Sequence, residues 1–216
     1  MAEATIETDG SHAEDDWRIY PDLPLHPILA AALDHFQEHG YHGTTVRNIA
    51  TGVGQTMPTL YYHYGSKEGI LVALLNIAMD DLQMHIDRCL EEAGDDVLQR
   101  FENYITAVVL HYTNRRDLAL LHSEFRFLGT EARAQYVQRR MAFEAKLEEL
   151  IKDGIAEGIF DSNEDPHFSA RVLLGMLGGI LNRATADDWY SESGALSALE
   201  IARRYTHYAV RLVTPA

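Results

Sequence analysis

Between Thr44 and Lys67 the chain reads TTVRNIATGVGQTMPTLYYHYGSK, a stretch crowded with hydrogen-bond donors. They are threonine and tyrosine hydroxyls, the Arg47 guanidinium, the His63 imidazole and the Lys67 ammonium. Such groups suit an anionic, acceptor-rich partner. Thr45, Tyr62, His63 and Lys67 fit phosphate oxygens, whereas Arg47, Met57, Thr59 and Tyr61 fit base edges. Other reactive types are sparse. His35 and His39 stand four apart, a metal-ligand spacing on a helix, with His42 close behind. No carboxylate or thiol completes a site, so these histidines read as a solvated polar face and no metal is expected. The single cysteine, Cys89, has no partner for a disulfide in the chain and fits a reducing compartment, as a packing residue. No glycine-rich phosphate loop, nucleophile elbow or paired metal-ligand motif is present. An all-helical enzyme or an interaction module that binds no DNA is the alternative class, and no cofactor is expected.

The elements that must position these donors follow from periodicity and punctuation. Val46, Ile49, Ala50 and Val53 fall at helical spacing, Gly54 and Gln55 make a turn, and Thr56 with Pro58 opens a second helix through Leu60 and Tyr64. Two helices about a short turn are an arrangement that seats the second one in a major groove. Ahead of them a helix spans Pro27 to His39, with Ile28, Ala31, Ala32 and Phe36 on one face and Gly40 as a left-handed stop. Ser66 caps a long helix from Lys67 to about Ala93 that links two domains. A cation in the first turn opposes the helix dipole, so an external phosphate, or simply solvation, accounts for Lys67.

After a break at Gly94-Asp95-Asp96, helical stretches cover about 97–113, 117–128 and 131–157. Asp165-Pro166 starts another to about Ala186, and the capping box Ser197-x-x-Glu200 starts the last, to Leu212. The expectation is an all-α protein of about nine helices. It divides into an acidic, structureless tail (1–24), a three-helix DNA-binding domain (25–70), and a ligand-binding and dimerisation domain (71–216). Trp17 and Tyr20 could anchor the end of the tail.

Charge sets a condition on the partner. The net charge is -15, but residues 1–24 hold seven acids and one arginine, while residues 25–78 hold three acids and two bases. The helix-turn-helix region is therefore nearly neutral. With few cations, nucleic-acid binding must lean on backbone amides, hydroxyls, Arg47 and Lys67, and on duplication of the site in a dimer. No signal peptide and no sufficiently long apolar run is evident, so the chain is expected in the cytoplasm, away from membranes.

The run Thr44-Thr45-Val46-Arg47-x-Ile49-Ala50, followed by Thr59-Leu60-Tyr61-Tyr62-His63-Tyr64-x-Ser66-Lys67-Glu68, resembles the N-terminal domain of the TetR family of bacterial transcriptional regulators. The likeness is close from about Pro27 to Leu75. The family usually has a small residue where Pro58 stands and an aliphatic one where Gln55 stands. The resemblance implies a repressor of a two-fold double-stranded operator, contacting it through Thr44, Thr45, Arg47, Gln55, Thr56, Met57, Pro58, Thr59, Tyr61, Tyr62, His63 and Lys67.

The C-terminal positions Gly154-x-x-x-Gly158-x-Phe160, Asp165-Pro166 and Trp189-Tyr190-x-x-x-Gly194-x-Leu196-Ser197 resemble a branch of that family responding to acyl-CoA thioesters or related catabolites. A small-molecule effector, with an acyl-CoA, lipid, sterol or aromatic catabolite as candidate, is the implied second partner. Residues in the middle helices that could line its cavity are Tyr104, Val108, His111, Tyr112, Glu124, Phe127, Tyr136, Arg140, Phe143 and Leu177; taken singly, each could equally be a core or surface group. Arg139, Arg140 and Arg183 could meet effector phosphates, or be solvated or paired with acids such as Glu144 and Asp187. Glycines on the eighth helix allow close helix approach, and Leu173, Gly175, Gly178, Leu181, Tyr205 and Tyr208 are expected at a homodimer interface built as a four-helix bundle.

Overall fold

The computed structural model describes residues 16–161, 163–181 and 196–215. Among these residues are nine α-helices and no strand. They are α1 (Pro27–Gly43), α2 (Val46–Gly52), α3 (Met57–Tyr64), α4 (Lys67–Ala93), α5 (Val97–Asn114), α6 (Arg116–Leu120), α7 (Thr130–Ala156), α8 (Pro166–Gly178) and α9 (Ala198–Val213). Local rules set most of the ends. Ser66 Oγ accepts the Gly69 amide at 3.0 Å, Asp165 Oδ1 accepts that of Phe168 at 2.7 Å, and Ser197 and Glu200 form the reciprocal capping box. Gly54 adopts φ 64° in the turn between α2 and α3, where a side chain would be strained.

Two stretches depart from the expected helices. The segment expected as one helix over 117–128 is α-helical only to Leu120 and continues as a 3-10 turn, Leu121–Phe127. A run of that length is uncommon and often marks a hinge. Helix α8 ends at Gly178 and tightens into a 3-10 turn, Gly179–Leu181. The expected extension to Ala186, Arg183 and Asp187, the tail before Asp16, and the Trp189, Tyr190 and Gly194 positions lie outside the described residues.

The apolar core falls into two clusters that meet on α4. One joins α1–α3 to the first half of α4, from Ile70 to Met79, and draws in Leu118, Leu121, Leu128 and Tyr136. The other joins the second half of α4, from Leu82 to Leu90, to α5, α7, α8 and α9. Helix α4 is long and apolar enough over part of its length to match a membrane span, a feature the sequence reading did not credit. It serves instead as the shaft between the clusters. Cys89, deep in the second cluster, has its thiol pushed up to about 12 by burial. It is inert packing, as its isolation in the sequence suggests.

Residues 16–24, expected in a structureless tail, begin with a strap held on α4 and α5. Trp17 is 1% exposed; its indole donates to Glu92 Oε2 at 2.9 Å and its carbonyl accepts from His85 Nδ1 at 2.6 Å. Arg18 binds the same carboxylate at 2.6 and 2.9 Å, lowering the Glu92 pKa. Tyr20 stacks on His85 at 3.9 Å, and Arg115 donates to the Pro21 carbonyl at 2.6 Å. Beneath the strap, Asp81 is almost fully buried. Arg115 Nε and His111 Nδ1 each lie 3.3 Å from its Oδ2, and His85 Nε2 lies 3.9 Å from Oδ1. Burial raises the Asp81 pKa, but His111 and Arg115 more than offset it, and the carboxyl stays below its usual range.

Candidate nucleic-acid interface and effector cavity

Helices α2 and α3 present a face of mostly uncommitted side chains. Tyr62 is 87% exposed and Tyr61 45% exposed, and Arg47, Gln55, Pro58 and His63 are also exposed. Large aromatics left in water at the end of a short helix find no packing use in the fold, and suit a partner surface. Met57 and Thr59 are half-buried beside them. Thr45 and Thr56 are exposed but already engaged: Thr45 caps α2 through the Asn48 amide and also bonds the Asn48 side chain, and the Thr56 hydroxyl lies 2.9 Å from that of Thr59.

Two expected contacts are already engaged within the fold. Thr44 is fully buried, and its hydroxyl donates within the fold, to the carbonyls of His35 (2.8 Å) and Gly40 (2.9 Å) at the kink in α1. Lys67 likewise has an internal reason to exist. Its ammonium donates to the carbonyls of Tyr41 at 2.7 Å and Thr44 at 2.8 Å, and lies 4.3 Å from the Tyr41 ring centroid. Desolvation lowers its pKa. An external phosphate is therefore not needed to explain a cation at the start of α4. Lys67→Met is expected to leave those carbonyls unpaired and to destabilise the protein by about 1–3 kcal/mol, read as a lower melting temperature; an unchanged melt combined with weaker DNA binding would return Lys67 to the phosphate contacts.

A cavity of about 280 Å3 lies between α4, α5, α7, α8 and the 3-10 segment. Of the ten residues expected to line it, Tyr112, Tyr136, Arg140 and Phe143 do. The rest are placed elsewhere by their neighbours. Tyr104 is buried and donates to the Phe143 carbonyl at 2.9 Å; His111 is buried beside Asp81; Val108 and Leu177 are core. Glu124 borders an adjoining, wider cleft of about 900 Å3, bounded by α1, α6 and the end of α8 and sharing His122, Ser123, Gly178 and Leu181 with the cavity. Phe127 stacks on Tyr41 at 5.6 Å, against the end of α1. The sequence reading missed His122, Ser123, Phe125 and Glu144, which do line the cavity. His122 and Phe125 had a signal, being ring-bearing residues within an apolar stretch, but their orientation depends on the 3-10 turn.

His122 Nδ1 lies 2.6 Å from the Tyr136 hydroxyl, and burial pushes the imidazole down to about 3. In the unfolded chain it titrates near 6.5, so the unfolded state takes up this proton first. The stability contributed by neutral His122 is present above pH 6.5 and is lost as pH falls toward 3; His85, also lowered, acts in the same direction. Acidification from pH 7 to 5 is expected to cost about 2 kcal/mol through His122. Denaturant melts at the two pH values check this, and His122→Gln should flatten the difference.

The dimer residues also divide. Leu173 is fully buried in its own subunit's core, and Leu181 is half-buried and borders the cavity together with Gly178. Tyr205 is half-buried. Gly175 and Tyr208 are exposed, beside Phe168 and Val172 on α8 and Leu199 and Leu212 on α9. This exposed apolar face, rather than the buried leucines, is what a partner could cover.

Comparison with known proteins matches residues 28–74 to the model for bacterial regulatory proteins of the tetR family and residues 94–213 to the Tetracyclin repressor-like, C-terminal domain. The HTH-type transcriptional repressor KstR2 of Mycobacterium tuberculosis is 27% identical over 181 residues, covering 82% of this chain and 85% of the relative. The TetR-family regulator PfmR of Thermus thermophilus superposes with a TM-score of 0.73 at 26% identity, over 85% of this chain and 97% of that one. The structure of the ketosteroid transcriptional regulator KstR2 of M. tuberculosis superposes with a TM-score of 0.71 at 22% identity, over 90% of this chain and 98% of that one.

Proposed function

From the membership of this chain in the TetR family of DNA-binding transcriptional regulators, which are not enzymes, we propose that it is a homodimeric repressor released from a two-fold operator by a small molecule. Family members bind operator DNA and small-molecule effectors and act as dimers. The observation that carries the reading is the exposure of Tyr61, Tyr62 and Arg47 together on the α2–α3 unit. In this reading α3 enters the major groove, with Arg47, Gln55, Met57, Pro58, Thr59 and Tyr61 toward base edges. Thr45, Thr56, Tyr62 and His63 meet the backbone. Residues 25–70 form the DNA-binding domain and residues 71–216 the effector and dimer domain, and the protein acts in the cytoplasm.

Two routes join the cavity to the reading head. One is α4, which carries Met79 and Leu82 in the cavity wall and Lys67 beneath α1. The other is the 3-10 segment. His122, Ser123 and Phe125 border the cavity, while two residues on Phe127 stacks on Tyr41, and the Gly129 amide donates to Glu68 at 2.8 Å. An effector that favours one head spacing by about 2–3 kcal/mol weakens operator binding about thirty- to 150-fold.

Similarity to KstR2, a ketosteroid transcriptional regulator, supports a sterol-like effector. An acyl-CoA has less support, since Arg139, one of the arginines that could meet its phosphates, is committed to Asp80 and Asn76. Footprinting on DNA selected from a random pool tests the reading. Protection of two inverted half-sites centred about 34–36 Å apart is expected, and a single unpaired half-site, or no selection at all, refutes it.

A further inference from the structure

The polar side chains of the cavity converge on one corner. Tyr112 comes from α5, His122 from the 3-10 segment, and Tyr136 and Arg140 from successive turns of α7. Arg140 packs over Phe125, 5.6 Å from the ring centroid, and its charge acts on Tyr112, His122 and Tyr136 alike. Burial keeps both phenols protonated and the imidazole neutral. Glu144, also in the wall, has Arg171 of α8 at 3.8 Å from Oε1, close enough for an ion pair but not for a hydrogen bond, and that buried oxygen has no hydrogen-bond partner among the described residues. Arg140 has no carboxylate partner among the described residues. The wall also holds the apolar side chains of Met79, Leu82, Phe143 and Leu174.

Arg140, the one lysine or arginine in the lining, stands with two phenol hydroxyls in a wall that also holds Glu144, drawn toward Arg171, and the apolar Met79, Leu82, Phe143 and Leu174; such a set is complementary to one carboxylate on an apolar body. We propose that the cavity selects an apolar monocarboxylate, whose oxygens meet Arg140 and the Tyr112 and Tyr136 hydroxyls while its hydrocarbon part lies against Met79, Leu82, Phe143 and Leu174. His122 is a positioning residue. With its ring proton on Nδ1 it donates to the Tyr136 oxygen, leaving the phenol proton free to turn toward the ligand. This specificity rests on the effector-release reading above.

Calorimetric titration of the full chain with decanoate and 2-naphthoate, and with 1-decanol and decanoyl-CoA as comparisons, tests it. At least one acid should bind and raise the melting temperature, with 1-decanol at least about tenfold weaker than decanoate for want of the charged contact. Arg140→Met should weaken the acid about tenfold or more and leave 1-decanol unchanged, while Arg140→Lys recovers part of the loss. Unliganded melting and operator affinity show that each variant is folded. Equal affinity for decanol and decanoate, indifference of the acid to Arg140→Met, binding of decanoyl-CoA but of neither acid, or binding of none of the four overturns the proposal. Operator binding separates the two readings. If the selected operator is bound and no carboxylate is, only the ligand class fails; if no operator is bound, the regulatory reading fails whatever the cavity takes.

Discussion

Asp81→Ala lowers the stability of this protein by about 3–5 kcal/mol, the usual cost of removing one partner from a buried charged cluster. The carboxylate is 7% exposed and is the only anion among the described residues within 4 Å of His85, His111 and Arg115. Without it, two buried imidazoles and a guanidinium face one another in a poorly solvated space. Arg115 and His85 also hold the strap through the Pro21 and Trp17 carbonyls, so the loss spreads from the α4–α5 contact to residues 16–21. For a chain of this size the melting temperature should fall by on the order of 10 °C. In a Trp189→Phe background, Trp17 emission should shift to the red before the main transition. A variant that melts within 2 °C or so of the parent, with Trp17 still buried, would show that the cluster is neutral in energy and the strap held by its apolar contacts alone. Asp81→Asn keeps the shape and an acceptor oxygen, and should fall between the two.

Replacing Arg47 or Tyr62 with alanine should have the opposite profile: unchanged stability and a large loss of operator affinity. Both side chains are exposed, and neither truncation opens a cavity. A base-edge contact by arginine contributes about 1–3 kcal/mol, and because both protomers of the dimer carry the change the loss doubles, to thirtyfold or more. The two variants should then differ in kind. Arg47→Ala should relax sequence preference at the base pair it reads, whereas Tyr62→Ala, assigned to the backbone, should weaken all sequences alike. Competition titrations against operator and random DNA at fixed salt distinguish these outcomes. Full retention of affinity in both variants would remove Arg47 and Tyr62 from the contact surface.

What the sequence determined by itself was whatever is decided within four residues along the chain. The caps at Ser66, Asp165 and Ser197, the turn at Gly54, the left-handed Gly40, expected as a stop and found as a kink within α1, and the order of nine helices all rest on short-range hydrogen bonds and backbone sterics, which operate before any tertiary contact exists. The exposed aromatic pair on α3 was legible for a related reason: helical spacing assigns Leu60 inward and leaves Tyr61 and Tyr62 outside.

Only the tertiary structure decided where polar groups on apolar helices find their partners. Lys67 is satisfied by carbonyls 23 and 26 residues away, Tyr104 by one 39 residues away, and Trp17 by groups 68 and 75 residues away. A buried hydroxyl, imidazole or ammonium needs a hydrogen-bond partner, but a neighbouring backbone and a bound molecule satisfy that need equally well. The sequence therefore identified polar residues that had to be answered without saying by what. That is why His111 and Tyr104 belong to the core, while Tyr112, Tyr136 and Arg140, which read the same way in the sequence, stand at the cavity with His122.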